Sequence, residues 1–342
     1  MSTDITLSTR LRALAGYRAT WPLLALAAIF IVDGFISPGF YDIRIVEGRL
    51  FGSVIDIFYR AMPTAIVALG MAVVIGTKGI DLSVGSVVAI CGAVIAWRIH
   101  EGDSHFVILF LALGTGLLCG LWNGFLVAVL NIQPIIATLI LMVSGRGIGL
   151  LVNQFYGGTD PSFESALLQG LSVGHIWLIP TRLIVGVGVF IALWFLIRRT
   201  ALGLFIEAVG GNTSAANLAG VNARLIIFSA YLIAGLCAGI AGVILTADTH
   251  TSDPVSVALY IELDAILAVV IGGGSLAGGR IYLGMTVIGA LIIQALTTSI
   301  LISGLPPEYN LVVKAVVVLF VLLLQSQNAR NAVWGLFSWR KS

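Results

Sequence analysis

Apolar runs separated by short polar breaks recur along the chain from Trp21 almost to its C-terminus. Several exceed the roughly 18 apolar residues needed by a helix that crosses a membrane. The pattern predicts spans near 21–38, 58–77, 82–99, 106–130, 134–153, 182–197, 224–246, 261–276, 281–301 and 310–326. The eighth, IELDAILAVVIGGGSL, is short and ends in glycines, so it reads either as a full span or as a half-span that enters and turns back. Pro63, Pro134, Pro180 and the adjacent Pro306 and Pro307 fall just before or inside the first turn of a span, where proline is best tolerated. Asn131, Ile132 and Gln133 are then left to join two spans as a tight helical hairpin.

The word AVVIG occurs at 72–76 and again at 268–272, each time near the end of a span and before a glycine-rich break. Five apolar letters can recur by accident in so apolar a chain, and the repeat does not decide function.

Composition agrees with the pattern. Hydrophobic residues make up 59% of the chain and charged residues 10%, against roughly a quarter charged in soluble domains. No room remains for a large soluble domain. Arg10, Arg12 and Arg18 precede WPLLALAAIFIVDGFIS, which has the outline of a signal peptide. The run is long for one and no small-residue cleavage site follows, so a retained first span is expected.

The Lys and Arg bias orients the spans, because short translocated loops are depleted of both. With the N-terminus inside, eleven fall on the cytoplasmic side: Arg10, Arg12, Arg18, Lys78, Arg198, Arg199, Arg224, Arg280, Arg330, Arg340 and Lys341. Five fall outside, namely Arg44, Arg49, Arg60, Arg98 and Arg182, and Arg146 and Lys314 remain within spans. The expected fold is therefore an all-α polytopic membrane protein of about ten transmembrane helices, some short or re-entrant, with both termini cytoplasmic. Its parts are a cytoplasmic segment over 1–20, a transmembrane domain over 21–326 that includes a cytoplasmic segment at 199–223, and a cytoplasmic tail over 327–342.

Candidate chemistry narrows the function. A net charge of +2 with scattered basic residues gives no signal for nucleic acid. Cys91, Cys119 and Cys237 lie inside apolar runs and read as small packing residues. His100, His105, His175 and His250 lack metal-ligand spacing, no GxSxG elbow occurs, and no carboxylate pair shares one face of a span. GLWNG and the other GxxxG-like patterns read as places where helix backbones approach in lipid. Catalysis by this chain is not expected. Nor does it carry a GxxxxGK[ST] phosphate loop, so a nucleotide that drives uphill transport would bind elsewhere. An ion-coupled carrier would place carboxylates near the membrane midplane. Only Asp33 lies clearly inside a span, toward its outer half, while Asp81, Glu262 and Asp264 sit at span ends that water should reach.

The remaining polar residues of the spans are Trp122, Asn123, Thr138, Ser144, Arg146, Gln294, Thr297, Thr298, Asn310 and Lys314. Hydroxyl and amide side chains ordinarily bond between helices. Arg146 and Lys314 are costlier to bury and call for a partner or a cavity, although Lys314 is near enough to a span end to snorkel. Such a lining suits a neutral, hydroxyl-rich solute. Trp122, Asn123, Thr138, Arg146, Gln294, Thr298 and Asn310 are the candidate pathway residues. GTKGIDLSVGSVVA, residues 76–89, concentrates polarity at a turn, where Asp81 or Ser83 would cap the next span and Lys78 would sit at the water boundary.

Four ordered stretches, GTKGIDLSVGSVVAI, GLWNGFLVAVLNIQPIIATL, TALGLFIEAVGGNTSAANLAGVN and LDAILAVVIGGGSLAGGR, resemble the permease subunits of bacterial carbohydrate ABC importers of the ribose, xylose and galactose branch. Within that branch EGRLFGSVIDI, LFIEAVG and ISGLPPEYNLVVKAVVVL are most similar to galactofuranose importer permeases. The resemblance implies an inner-membrane subunit, set in lipid, that pairs with a like or a different second permease. It further implies a cytoplasmic ATPase that holds ATP-Mg, no cofactor on this chain, and a periplasmic sugar-binding protein. An ATP-independent sugar carrier or facilitator is the alternative.

The segment 199–224 gains a role from that resemblance. Asn212 is a good N-cap, Gly220 is a natural stop, and TSAANLA between them predicts a helix of seven or eight residues with Ala215, Ala216, Leu218 and Ala219 as its apolar side. Isolated helices under roughly 12 residues are marginal in water, so tertiary contact or a partner must hold it. In the family this is where the ATPase docks, and Glu207, Gly210, Asn212, Ala215, Ala216 and Gly220 are the candidate coupling residues. A helix lying against its own protein is the alternative. The NTS sequon at 212–214 would go unused on the cytoplasmic side.

Overall fold

A computed structural model describes residues 20–46, 48–156, 165–306 and 308–325. The predicted N-terminal arginines, the C-terminal tail and Pro307 lie outside the described residues. Each predicted span contains a helix: α1 (Thr20–Ile36), α2 (Ser53–Gly76), α3 (Val84–His100), α4 (His105–Gly124), α5 (Pro134–Tyr156), α7 (Thr181–Arg199), α10 (Ala223–Thr249), α11 (Ile261–Ile271), α12 (Leu283–Ile302) and α13 (Tyr309–Gln325). Six of these are long and apolar enough to cross a membrane, α4 among them once its π-helical extension Phe125–Val129 is included.

α11 settles the ambiguity of the eighth span. Its 11 residues rise about 16 Å, roughly half the hydrocarbon thickness, so it is a half-span preceded by irregular chain over 250–260. Both copies of AVVIG lie where a helix stops, at the end of α2 and of α11. The sequence pattern missed α6 (Ala166–Ser172), α8 (Ala201–Gly211), and two hairpins, β1 (Arg44–Val46) with β2 (Arg49–Phe51) and β3 (His175–Ile176) with β4 (Ile179–Pro180). It also misjudged the start of α2. That helix begins at Ser53, so Pro63 lies in its interior rather than its first turn, and Pro63 has no N–H to give the Tyr59 carbonyl.

The core is built around α10, which packs along α4, α2 and α3. Its contact with α4 is backbone to backbone. Gly116, Gly120 and Gly124 recur every four residues on α4, and Gly235 and Gly239 do so on α10. A Cβ at Gly116 would lie 2.5 Å from the Gly235 carbonyl oxygen, and one at Gly120 would lie 2.5 Å from that of Tyr231. Lipid offers no hydrophobic drive between helices, so this proximity supplies van der Waals contact that larger residues would forbid. The three cysteines are buried in the packing, as their setting suggested, and the Cys91 thiol donates to the Ala112 carbonyl.

Gly120→Ala forces α4 away from α10 and is expected to cost about 1–3 kcal/mol. Gly114→Ala, on the same helix but with nothing within 4 Å of its Cβ, is the control. Thermal unfolding of the detergent-solubilised protein should show a lowered Tm for the first and an unchanged or raised Tm for the second.

Candidate functional site

The connection from α2 to α3 does not stay at the helix ends. Lys78 adopts the left-handed conformation, with φ 67°, and the Gly79 N–H donates back to the Val74 carbonyl at 3.1 Å. Gly79 packs so closely on the Tyr231 hydroxyl that a Cβ would lie 2.7 Å from it. The chain thus folds back beside α2 before α3 begins. Tyr231 is eight residues along α10 from Ala223, a rise of about 12 Å, so the turn reaches well into the bundle.

There Asp81 is buried. Its Oδ1 accepts from the Ser83 N–H at 3.0 Å, the Ser83 hydroxyl at 2.6 Å and the Asn123 amide at 3.3 Å. Asn123 also donates to the Ser83 oxygen at 2.7 Å, and Thr138 accepts from the Leu82 N–H at 3.1 Å. Ser86 donates to the Ser83 and Leu141 carbonyls. Two pathway candidates, Asn123 and Thr138, and two turn candidates, Asp81 and Ser83, therefore form one polar cluster. The expected side-chain cap of α3 is not made: Ser83 is the N-cap residue without a capping bond, and Asp81 accepts the N–H of Ser83 itself just ahead of the helix. Lys78 remains exposed, with its ammonium 3.2 Å from the Gly211 carbonyl.

The expectation that water reaches Asp81 and Glu262 fails, since each is 2% exposed. Sequence shows where an apolar run ends, whereas both acids lie where the backbone re-enters the bundle. Among the described residues the Tyr231 hydroxyl, Asn123 Oδ1 and Glu262 Oε2 have no hydrogen-bond partner. Tyr231, a phenol in an apolar run, was not singled out from sequence. The π-helical turn two residues past Asn123 was also missed; such turns gather at functional sites.

The other pathway candidates lie elsewhere. Arg146 donates to the carbonyls of Pro254 at 2.7 Å, Val255 at 3.0 Å and Val257 at 3.2 Å, which holds the irregular chain before α11. In that chain the Ser256 hydroxyl, with the N–H groups of Val255 and Ser256, keeps the Asp253 carboxyl below its usual range. Gln294 bonds Thr298 along α12, and Thr297 bonds Asn310 across to α13. Trp122 is half exposed. Ser144 bonds within its own helix. Lys314 does not snorkel; it pairs with Asp264 at 2.9 Å. The seven candidates do not converge within one chain.

Two features had no sequence signal. A cavity of about 160 Å³ opens between the two hairpins and the start of α2, with Arg49, Asp56, Tyr59, Ser172 and His175 among its lining. Beside it, buried Arg182 pairs with Asp248 and stacks over the Tyr59 ring. No group of three or more potential metal ligands occurs among the described residues.

In the segment after α7, Thr200 caps α8 and Asn212 caps α9 (Thr213–Leu218), accepting from the Ala215 N–H at 3.0 Å. Gly220 follows with φ 85°. α9 has six residues, and its expected apolar side is not one face. Ala216 alone turns inward, onto Val209 and Ala223, while Ala215 and Ala219 are exposed and Leu218 is 91% exposed. Six residues make under two turns, so the apolar letters point in different directions. Glu207 and Gly210 face inward as well. Glu207 accepts the Ile281 N–H at 3.1 Å, and a Cβ at Gly210 would run into the Gly76 carbonyl.

Residues 53–322 match a family described as the permease component of a branched-chain amino acid transport system. The chain belongs to this permease family. It is a transport subunit of the membrane rather than an enzyme. The galactofuranose transporter permease protein YtfT of Escherichia coli is 52% identical over 95% of this chain and 96% of its own. The ribose import permease protein RbsC of Escherichia coli is 37% identical over 89% and 92%, and the fructose import permease protein FruF of Bifidobacterium longum is 35% identical over 91% and 88%. No solved structure matches the chain.

In the permease, Asp81→Ala strips three donors of their common acceptor. A buried unmet donor costs about 1–3 kcal/mol, so Tm should fall clearly, while Asp81→Asn, which keeps an acceptor oxygen, should lose less. Equal Tm for Asp81→Ala and wild type in detergent melts would remove the cluster from the structural core.

Proposed function

We propose that this permease is the membrane-spanning subunit of an ATP-binding cassette importer that carries a monosaccharide, galactofuranose in the first instance, across the bacterial inner membrane. The observation that carries the reading is the 52% identity to a galactofuranose permease along nearly the whole of both chains. A cytoplasmic ATPase holds ATP-Mg, a periplasmic protein delivers the sugar, and a second permease, the same chain or a different one, completes the pathway. That pathway draws on Trp122, Asn123, Thr138, Arg146, Gln294, Thr298 and Asn310. The excess of Lys and Arg in one set of loops supports cytoplasmic termini and a cytoplasmic α8 and α9.

The ATPase docks on α9. Its support is the 91% exposure of Leu218 on a helix whose caps and inward Ala216 already fix it in place. Such a residue has no partner in its own chain to satisfy, which suits a helix presented to a groove. Asn212 and Gly220 set its two ends, Ala215 lies on its open side, and Gly210 seats it on α2.

Two measurements test this. Uptake of labelled galactofuranose, with ribose and galactopyranose as competitors, should collapse on ATP depletion and persist with a proton uncoupler. The reverse pattern indicates an ion-driven carrier. Leu218→Glu should leave the permease in the membrane at wild-type level but lose co-purification of the ATPase and lower uptake at least about tenfold, the equivalent of 1.4 kcal/mol. Unchanged co-purification would move the docking surface elsewhere.

A further inference from the structure

Ile281, two residues before α12, is held from three sides. Its N–H donates to Glu207 of α8 at 3.1 Å and its carbonyl accepts from Arg198 at the end of α7 at 2.6 Å. Arg198 and Glu207 also face each other at 3.6 Å. The Ile281 side chain is buried against the end of α2 and Ile206, such that a Cβ at Gly76 would lie 2.8 Å from its Cδ1. Next to it, the Gly279 N–H donates to the Gly76 carbonyl at 3.1 Å. The glycine-rich loop over 272–282 turns on itself, with Gly272, Gly273 and Gly274 donating back to α11 and Gly278 donating to the Ser275 carbonyl, and its two ends are the C-terminus of half-span α11 and the N-terminus of α12.

We infer that Glu207 is a positioning residue that carries motion of the docking segment into the loop between α11 and α12. Displacement of α8 pulls on the Ile281 backbone, and α12 starts two residues later, so the loop cannot stay behind. Because Gly210 and Lys78 bind α8 to the end of α2 at the same level, the α2–α3 turn moves with it. Glu207 thereby acts inside its own chain and does not touch the ATPase. This rests on the proposed docking at α9, but its test is separate from that of Leu218.

The test uses the complete transporter with Leu276→Cys as a reporter on the exposed part of the loop, the native cysteines all being buried. ATP should change the rate at which a maleimide labels this site. In Glu207→Ala the ATPase should still co-purify and hydrolyse ATP, yet the effect of ATP on labelling should be lost. Glu207→Gln keeps an oxygen for the Ile281 N–H and should restore it. The inference is overturned if ATP leaves labelling of the reporter unchanged in the Glu207 parent, or if Glu207→Ala retains the response. It is equally overturned if Glu207→Ala no longer co-purifies with the ATPase, since Glu207 would then build the docking surface. Loss of docking in Leu218→Glu with an intact response in Glu207→Ala would sink the transmission route alone.

Discussion

Contact between α4 and α10 through their glycines sets the positions on which much else depends. α10 can bring Tyr231 to the turn that holds Asp81 only because α4 gives up side chains at Gly116 and Gly120. The same helix α4 supplies Asn123 from its far end, so one crossing aligns both a donor to Asp81 and the phenol beside it. In water a core can recruit bulk to close such a gap. Among lipid tails close approach is itself the attraction, and small residues are what allow it.

That bundle contains two interruptions of regular structure, the turn over 77–83 and the chain over 250–260, and α5 serves both. Thr138 receives the Leu82 N–H, Arg146 gathers three carbonyls of the second break, and Asn153 donates to the Ser252 carbonyl at 2.6 Å. Unpaired peptide groups are costly away from water, and irregular backbone at membrane depth survives only where protein or a water-filled cavity receives it. α5 is therefore more than a span. It is a rack of side chains placed at the heights where the backbone leaves its helices.

The ten helices were legible because lipid demands long apolar runs, and Asn212 was legible as a cap because capping is a local, short-range bond. Direction was not legible. The turn at Asp81 reads as a surface feature until three other helices are placed around it, and the apolar letters of α9 cannot say which of them turns inward. The contact that Glu207 makes was not legible either, since a lone acid in a short helix has nothing local to mark it. Its partner is an N–H 74 residues away. The two hairpins escaped because strands of two or three residues carry too few positions for a period to show.

The outward side of α9 has a consequence for how such machines diversify. Ala216, Asn212 and Gly210 are tied to the rest of the chain, whereas Leu218 bears none of its packing. A change at Leu218 alters what the segment offers to another molecule and leaves the bundle untouched. With the proposed docking on α9, pairing specificity is insulated from the membrane core: a cell with several related transporters can keep their components from mixing by rewriting one exposed turn.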